Sequence, residues 1–331
     1  MKLISQDQKI VVFGSNGMVG SAIIRKLKEN EYLNILAPKR GDLNLLESNA
    51  VENWFNQNKP EVVVIAAAKV GGIFANNKYP ADFILENLKI QINIIETAWK
   101  KNIKKLLFLG SSCIYPKYSS QPIKEEELLK GYLEPTNEPY AIAKIAGLKL
   151  CQALNTQYNF NAISLMPTNL YGPGDNYHRE NSHVLPSLIR RFYEAKEGND
   201  NLVLCWGTGN PKREFLHVDD LADACLFALE HWDLNNDLSP KDINGMTLPY
   251  LNVGTGIEIS IRELANLIAE ITGYKGNISW DDSKPDGTPK KKLDISRINS
   301  LGWQHKIKFE DGLRNTIKLY KKERNNKSIF N

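Results

Sequence analysis

The sequence predicts an α/β fold in which a doubly wound parallel sheet carries a smaller C-terminal α/β lobe. Three observations predict it. Short aliphatic and β-branched runs alternate with helical segments through the first half of the chain, a glycine-rich turn follows the first run, and the alternation stops near residue 170. Alternating strands and helices favour a parallel sheet, because each helix carries the chain back to the edge where the next strand starts.

The elements follow one another in a regular order. Each predicted strand is a short run of apolar residues, and each predicted helix is a longer segment between two such runs. The predicted strands cover residues 9–13, 34–36, 61–66, 105–109 and 162–166. The predicted helices cover residues 18–29, about 81–100, 138–157 and 184–196.

The composition is that of an ordinary globular protein. Of the 331 residues, 42% are hydrophobic and 24% are charged, and the net charge of +4 is not gathered into a patch. No apolar run is long enough to span a bilayer, and the first eight residues lack the apolar stretch of a secretory signal. The four cysteines are widely spaced, without the pattern of zinc ligands. We therefore expect a cytoplasmic protein with no nucleic-acid partner, membrane contact, disulfide or metal.

A glycine-rich turn follows the first predicted strand and opens the first predicted helix. It reads Gly14-Ser15-Asn16-Gly17-Met18-Val19-Gly20. Gly14 permits a tight turn, Gly17 lets the backbone approach a pyrophosphate, and Gly20 lets helix and strand pack closely. The helix N-terminus then faces the phosphates. A purely structural turn is the alternative, but the strand–turn–helix context favours a dinucleotide-binding Rossmann domain over residues 1–170.

The second half of the chain does not continue the regular alternation of predicted strands and helices. We expect residues 171–331 to form mainly a substrate-binding lobe, from which segments at about 205–230 and 250–256 return to the first domain. Residues 232–249 are polar and rich in Asn and Asp, which predicts a surface insertion. The stretch 284–292 reads as irregular.

The end of the second predicted strand bears on the choice between NAD and NADP. An NAD site places an acidic residue there, about 20 residues beyond the glycine loop, to hold the ribose 2′-hydroxyl. Here the chain reads Pro38-Lys39-Arg40, and Asp42 follows only after a predicted turn. Basic side chains favour a 2′-phosphate and hence NADP(H), although one or two surface cations also occur by chance.

Tyr140 and Lys144 lie four residues apart on one predicted helix and so share a face. A nearby ammonium lowers the pKa of a phenol from about 10 toward neutrality, so that the tyrosine can donate a proton to a carbonyl oxygen as hydride arrives. Ser111 follows the fourth predicted strand and can hydrogen-bond the same oxygen, or can simply cap a turn. The three together fit the catalytic set of the short-chain dehydrogenases.

Segments spread over almost the whole chain resemble the GDP-L-fucose synthase family, a branch of the extended short-chain dehydrogenases. They are residues 14–20, 66–73, 110–116, 134–140 with Lys144, 166–173, 213–220 and 284–289. The resemblance implies an enzyme that epimerises C3 and C5 of GDP-4-keto-6-deoxy-D-mannose through enolates and then reduces C4 with NADPH. It also implies that Ser111, Tyr140 and Lys144 carry out the reduction.

The resemblance implies that Cys113 and His183 form the acid/base pair of the epimerisation. A thiolate and an imidazole titrate near enough to neutrality to remove and return the protons that a C4 ketone acidifies. The residues by themselves leave Cys113 open to being a buried small hydrophobe and His183 to being an ordinary loop residue. Substrate contacts are implied for Asn169, Val184, Arg191, Trp206, Arg213 and Asp286. Among these, Arg213 suits a diphosphate.

Outside the glycine loop, we assign the cofactor site to the ends of the predicted strands and to the catalytic set. The residues are Arg40, Asp42, Leu43, Ala67, Leu109, Gly110, Ser111, Tyr140, Lys144, Pro167, Asn169, Leu170 and His183. Some relatives carry a basic residue where this chain has Asn16, which leaves the 2′-phosphate to Lys39 and Arg40. Residues 81–100 and 138–157 resemble helices that pair across a two-fold axis in this superfamily, and predict a homodimer with Ile84, Leu88, Ile92 and Ile95 at the contact.

Two rival functions are weighed against this one. The first is another sugar-nucleotide enzyme of the superfamily, a 4,6-dehydratase or a 4-epimerase, and dehydratases carry an acidic residue where Cys113 stands. The second is a non-enzymatic NADP-binding regulator, which would have lost Tyr140 or Lys144. The epimerase-reductase is therefore favoured.

Overall fold

The computed structural model describes residues 2–284 and 286–328, with side chains as far as residue 324. The strands of its central sheet are β1 (Ile10–Phe13), β2 (Ile35–Leu36), β3 (Val62–Ile65), β4 (Lys105–Leu109), β5 (Ala162–Pro167) and β9 (Tyr250–Val253). All six are parallel, in the order β2-β1-β3-β4-β5-β9. Apart from β2, every residue of these strands is buried, since helices cover both faces. The predicted fold class is confirmed.

Ten helices are present in the described residues. They are α1 (Met18–Glu29), α2 (Ser48–Asn58), α3 (Ile73–Lys78), α4 (Pro80–Lys100), α5 (Glu138–Tyr158), α6 (Val184–Glu197), α7 (Val218–His231), α8 (Ile261–Thr272), α9 (Ser296–Ser300) and α10 (Phe309–Ser328). Helices α1 and α7 pack together on one face of the sheet, and α2, α4 and α5 cover the other. The predicted helices and strands end within one residue of those observed, whereas α2, α3 and the four helices α7 to α10 were not predicted.

The smaller lobe is built around its own strands. They are β6 (Asn169–Tyr171), β7 (Leu202–Trp206), β8 (Lys212–His217), β10 (Glu258–Ser260), β11 (Asn277–Asp281) and β12 (Lys290–Lys291). Strand β8 is central, with β6 and β12 parallel to it and β10 antiparallel, while β7 pairs in parallel with β11. Helices α6, α8 and α10 enclose a separate apolar core against these strands. The stretch 284–292, predicted to be irregular, therefore contains a paired strand.

Segments from the second half of the chain complete the core around the central sheet. Strand β9 forms an edge of that sheet, and α7 contributes Leu221 and Leu229 to the cluster that also holds Trp303. The segment 232–249 was predicted to be a surface insertion from its polar composition, but part of it is buried. Trp232 is only 1% exposed, and its backbone carbonyl accepts a 2.6 Å hydrogen bond from the buried ammonium of Lys105. The segment therefore starts inside the core and reaches the surface only beyond it.

None of the helices in the described part of the chain combines the length and apolarity that a membrane crossing requires.

Candidate active site

The glycine loop joins β1 to α1 with very little free space. Gly14 has a φ of +87°, and a Cβ there would lie 2.6 Å from the backbone nitrogen of Ala67 at the end of β3. A Cβ on Gly20 would overlap the carbonyl of Gly14. The hydroxyl of Ser15 donates to the carbonyl of Pro38 at 3.2 Å, which ties the loop to the end of β2. Glycine is therefore sterically required at both positions.

The loop is also suited to a diphosphate. A Cβ on Gly17 would meet only the carbonyl of Gly14, at 3.4 Å, so one side of the turn is open. Helix α1 has no side-chain cap and no acidic residue in its first turn. Its first backbone N–H groups and the positive end of its dipole therefore point toward this open space, as dinucleotide binding requires.

Basic side chains stand beside the end of β2. Lys39 and Arg40 are exposed, and within the described residues the guanidinium of Arg40 makes no hydrogen bond or ion pair. Asp42 instead closes its own turn, since its carboxylate accepts a 3.1 Å hydrogen bond from the backbone nitrogen of Lys39. Leu43 is buried in the apolar core, so only its backbone is able to face a ligand. Across the residues that the structure describes, neither the Lys39 ammonium nor the Arg40 guanidinium has a side-chain partner, so both cations are free to bind a phosphate.

The other predicted cofactor residues lie along one edge of the central sheet. Leu109 and Gly110 end β4, Pro167 ends β5, and Leu170 lies in β6 just beyond. A Cβ on Gly110 would overlap the sulfur of Met166, so a larger residue here would require the end of the Met166 side chain to move. Open parallel sheets bind ligands at the carboxyl ends of their strands, which is where these residues lie.

The predicted reductase residues lie together at the same edge. Ser111 follows β4 and caps a short 3₁₀ turn, Ser112–Ile114, by accepting a 3.2 Å hydrogen bond from the backbone nitrogen of Cys113. Tyr140 and Lys144 lie on the first turns of α5. The ammonium of Lys144 is only 4% exposed and donates to the carbonyl of Leu109 at 2.8 Å. It lies 5.9 Å from the centre of the Tyr140 ring.

The protonation of this set differs from the expectation. Burial raises the pKa of the Tyr140 phenol, the charge of Cys113 raises it further, and the hydrogen-bonding Ser111 hydroxyl only partly opposes them. Burial also lowers the pKa of Lys144 to about 8. The pKa of Tyr140 is not lowered as expected, because desolvation of the phenol dominates. Tyr140 therefore keeps its proton at neutral pH.

Cys113 lies beside the reductase residues with its sulfur in a polar setting. The sulfur accepts hydrogen bonds from the side-chain nitrogens of Asn137 and Lys291, each at 3.4 Å. Burial by itself would raise the pKa of the thiol, but the charges of Lys291 and Arg213 and the bonds from Ser111 and Lys291 lower it below its ordinary value. The environment therefore favours a thiolate and not an inert buried thiol.

His183 is the residue that precedes α6, at the N-cap position of that helix. The residue is exposed to solvent. Desolvation by the surrounding protein lowers the pKa of the His183 imidazole, and the charge of Lys291 lowers it further. Since the charge of Lys291 acts on both groups, His183 and Cys113 both lie near this ammonium.

A series of neighbouring side chains leads from Cys113 into the smaller lobe. Arg213 of β8 is close enough to feel the charges of Cys113 and Asp286, and burial lowers its pKa. Asp286 accepts hydrogen bonds from the backbone nitrogen and hydroxyl of Thr208, at 2.7 and 2.8 Å. Trp206, at the end of β7, is 63% exposed and presents an open aromatic surface two residues before Thr208. Along this series the groups follow in the order Cys113 thiol, Arg213 guanidinium, Asp286 carboxylate and Trp206 indole.

The remaining predicted substrate residues border this series. Arg191 is half-buried on α6, and burial lowers its pKa. Val184, the first residue of α6, is exposed. Asn169 uses its amide to donate to the carbonyl of Glu214 at 2.9 Å, which holds β6 against β8.

Sequence reasoning missed two residues of the site. Asn137 lies within the segment 134–140 that resembles the family, but no function was predicted for it. Lys291 lies in the stretch 284–292 that was predicted to be irregular. Lys291 is 178 residues from Cys113 in the chain, so no spacing rule connects them. The run of three lysines at 290–292 was the only available signal.

Comparison with known proteins gives a consistent result. Residues 10–244 match the model of the NAD dependent epimerase/dehydratase family. The chain is 54% identical to GDP-L-fucose synthase 1 of Arabidopsis thaliana over 96% of this chain and 94% of the relative. It is 53% identical to the GDP-L-fucose synthase of Escherichia coli, over 95% of this chain and 96% of the relative. The crystal structure of a GDP-L-fucose synthetase from Naegleria fowleri bound to NADP superposes with a TM-score of 0.85 at 26% identity, covering 97% of this chain and 96% of that one.

Proposed function

Since the chain belongs to the NAD dependent epimerase/dehydratase family, and within it to the GDP-L-fucose synthases, we propose that it converts GDP-4-keto-6-deoxy-D-mannose to GDP-L-fucose with NADP(H). The observation that supports this proposal is that two candidate catalytic sets lie close together. Ser111, Tyr140 and Lys144 form one, and Cys113 and His183 form the other. A simple reductase needs only the first set.

Epimerisation is the work of the second set. The Cys113 thiolate removes a proton from the carbon next to the C4 ketone, so that an S–H bond forms, the C–H bond breaks and the electron pair moves onto the C4 oxygen as an enolate. Ser111 and Tyr140 donate hydrogen bonds to that oxygen and stabilise its charge. His183 returns a proton to the other face of the carbon. Exchange of protons with solvent then resets both groups for the second carbon.

Reduction is the work of the first set. The reduced nicotinamide supplies the hydride that C4 accepts. Tyr140 is a neutral phenol and gives its proton to the C4 oxygen as the alcohol forms. Lys144 is largely protonated below a pKa of about 8, and its ammonium lies 5.9 Å from the centre of the Tyr140 ring.

The series of side chains in the smaller lobe supports a nucleotide-diphosphate sugar. With the sugar at Cys113, the Arg213 guanidinium is placed for the diphosphate and the open indole of Trp206 for a base. The glycine loop and Arg40 suit the pyrophosphate and 2′-phosphate of NADPH.

The test is a direct assay. Purified protein is mixed with GDP-4-keto-6-deoxymannose and NADPH, cofactor oxidation is followed by absorbance, and the sugar product is identified by NMR. Formation of GDP-L-fucose is expected. A product that retains the D configuration at C3 and C5 would reduce the assignment to a C4 reductase.

We also propose that the protein is a homodimer formed through α4 and α5. Leu85, Ile92 and Ile142 on these helices are 54%, 42% and 42% exposed, which makes an apolar outer face. Ile95, expected at this contact, is instead fully buried against the sheet and takes no part. Light scattering at micromolar concentration should give twice the chain mass, and a monomer mass would contradict the proposal.

A further inference from the structure

The sulfur of Cys113 accepts two hydrogen bonds. Asn137 donates from its amide and Lys291 from its ammonium, each over 3.4 Å. Both bonds direct N–H hydrogens at the sulfur, and one of the donors is a charged ammonium, so the geometry stabilises negative charge on the sulfur. The cavity beside the sulfur, about 20 Å³, is large enough for one water-sized group and is lined by both donors, by Glu134 and by Thr288.

Lys291 is held in place by its backbone. It lies on β12, in register with Arg213 of β8. The next residues are tied down as well, since the backbone nitrogen of Lys292 donates to Gln121 at 2.9 Å and that of Leu293 donates to the buried carboxylate of Glu214 at 2.8 Å. The Lys291 ammonium therefore comes from the smaller lobe, whereas the Cys113 thiol lies in the turn that follows β4 of the central sheet.

The neighbouring lysine provides a contrast. Lys290 turns to the opposite side of β12 and forms a 3.2 Å ion pair with Glu258. Within the described residues, no carboxylate lies within ion-pair distance of the Lys291 ammonium. The charge of Lys291 is therefore directed at the sulfur.

We propose that Lys291 is a positioning residue that holds Cys113 as a thiolate and so sets the pH range in which the epimerisation base is ready. The inference rests on the proposed role of Cys113. Lys291 neither gains nor loses a proton in the reaction. It stabilises the sulfur anion before proton abstraction, and after abstraction its positive charge remains beside the thiol and the enolate. The other charged or titratable groups near this sulfur are Arg213 from β8, Tyr140 from α5, and the ion pair of Glu134 with Lys117, 2.8 Å apart, which lines the small cavity.

The test measures the thiol itself. The rate at which iodoacetamide alkylates the full-length protein is recorded from pH 5 to 10, with Cys113→Ser giving the background from the three buried cysteines. In Lys291→Gln, the apparent pKa of the thiol should rise, and alkylation at pH 7 should slow by about tenfold, because one pKa unit is a factor of ten in thiolate population. Lys291→Arg should stay close to the parent protein. Lys290→Gln is the matched control and should leave the profile unchanged.

Three results would overturn the proposal. The first is an unchanged thiol profile in Lys291→Gln. The second is a pH profile of alkylation in Lys291→Arg that is shifted as far as the profile in Lys291→Gln. If circular dichroism shows that the glutamine variant does not fold, a shifted profile in Lys291→Arg relative to the parent protein overturns the proposal. The third is a Lys291→Gln variant whose KM for the sugar nucleotide rises while its thiol pKa stays constant, since that pattern assigns the ammonium to substrate binding. Alkylation reports on the thiol whether or not Cys113 is the base, so this test and that of the proposed function fail separately.

Discussion

Replacement of Cys113 by serine separates the two chemistries of the cleft. The serine hydroxyl is smaller than the thiol and can still bond to Asn137 and Lys291, so the fold and the reductase residues should be preserved. What is lost is acidity. The thiol has a pKa below its ordinary value of 9.0, so at pH 8 more than about a tenth of it is ionised, whereas an alcohol is not ionised to any useful extent.

The expected loss follows from that difference. Removal of a general base typically costs a factor of about 10² to 10⁴ in rate, which corresponds to about 3 to 5 kcal/mol in the barrier to proton abstraction. The assay needs no cofactor. The keto sugar nucleotide is incubated with enzyme in deuterated buffer, and NMR follows the loss of the C3 and C5 proton signals.

A control keeps the experiment specific. With NADPH added, Cys113→Ser should still reduce C4 of the un-epimerised ketone and give a D-configured 6-deoxy sugar, because Ser111, Tyr140 and Lys144 remain. If deuterium enters both carbons at the parent rate in this variant, Cys113 is not the base and the reasoning from its environment is wrong.

Three further predictions follow from the site. Tyr140→Phe should lower NADPH-dependent turnover by about 10² to 10⁴-fold while deuterium exchange without cofactor falls less, since the thiolate is untouched, and near-normal turnover would remove the phenol from the mechanism. Arg40→Ala should weaken binding of NADPH more than that of NADH, by about 1 to 2 kcal/mol in titrations monitored by fluorescence, and equal losses would show that Arg40 does not read the 2′-phosphate. Exchange that inverts the carbon requires Cys113 without its proton and His183 with it. Because the ordinary thiol pKa lies above the ordinary imidazole pKa, the rate rises until the pH reaches the imidazole pKa and falls once the pH passes the thiol pKa. Both values are lowered from 9.0 and 6.5, so the exchange optimum should lie below about pH 7.7, the midpoint of those ordinary values, and an optimum above pH 8 would contradict the arrangement.

The elements of the central sheet were predictable because their environment is uniform. A strand covered on both faces reads as a continuous apolar run, and β4 was predicted to the residue. The glycine loop was equally predictable, since a positive φ at Gly14 and close packing at Gly20 leave no other residue type. These elements can be predicted from neighbouring residues because burial of a strand and the conformation of a turn restrict the residue types at adjacent positions.

The rest depends on contacts between distant segments. Strand β12 has only two residues and exists because β8 lies beside it. The spacing of Tyr140 and Lys144 gave their shared face but not the desolvation that dominates both of their pKa values. Trp232 opens a polar segment yet is buried, since its surroundings come from other parts of the chain.

The return of late segments to the central sheet has a consequence for the order in which the protein folds during synthesis. The sheet lacks its sixth strand until Val253 has been made, and the face that holds α1 stays open until Trp303 packs there and donates to Asp223 at 3.1 Å. An emerging N-terminal half would therefore present the unpaired edge of β5 and an apolar helix face to the cell. The cofactor loop is complete within the first twenty residues, but the domain that supports it cannot close until about nine-tenths of the 331 residues exist.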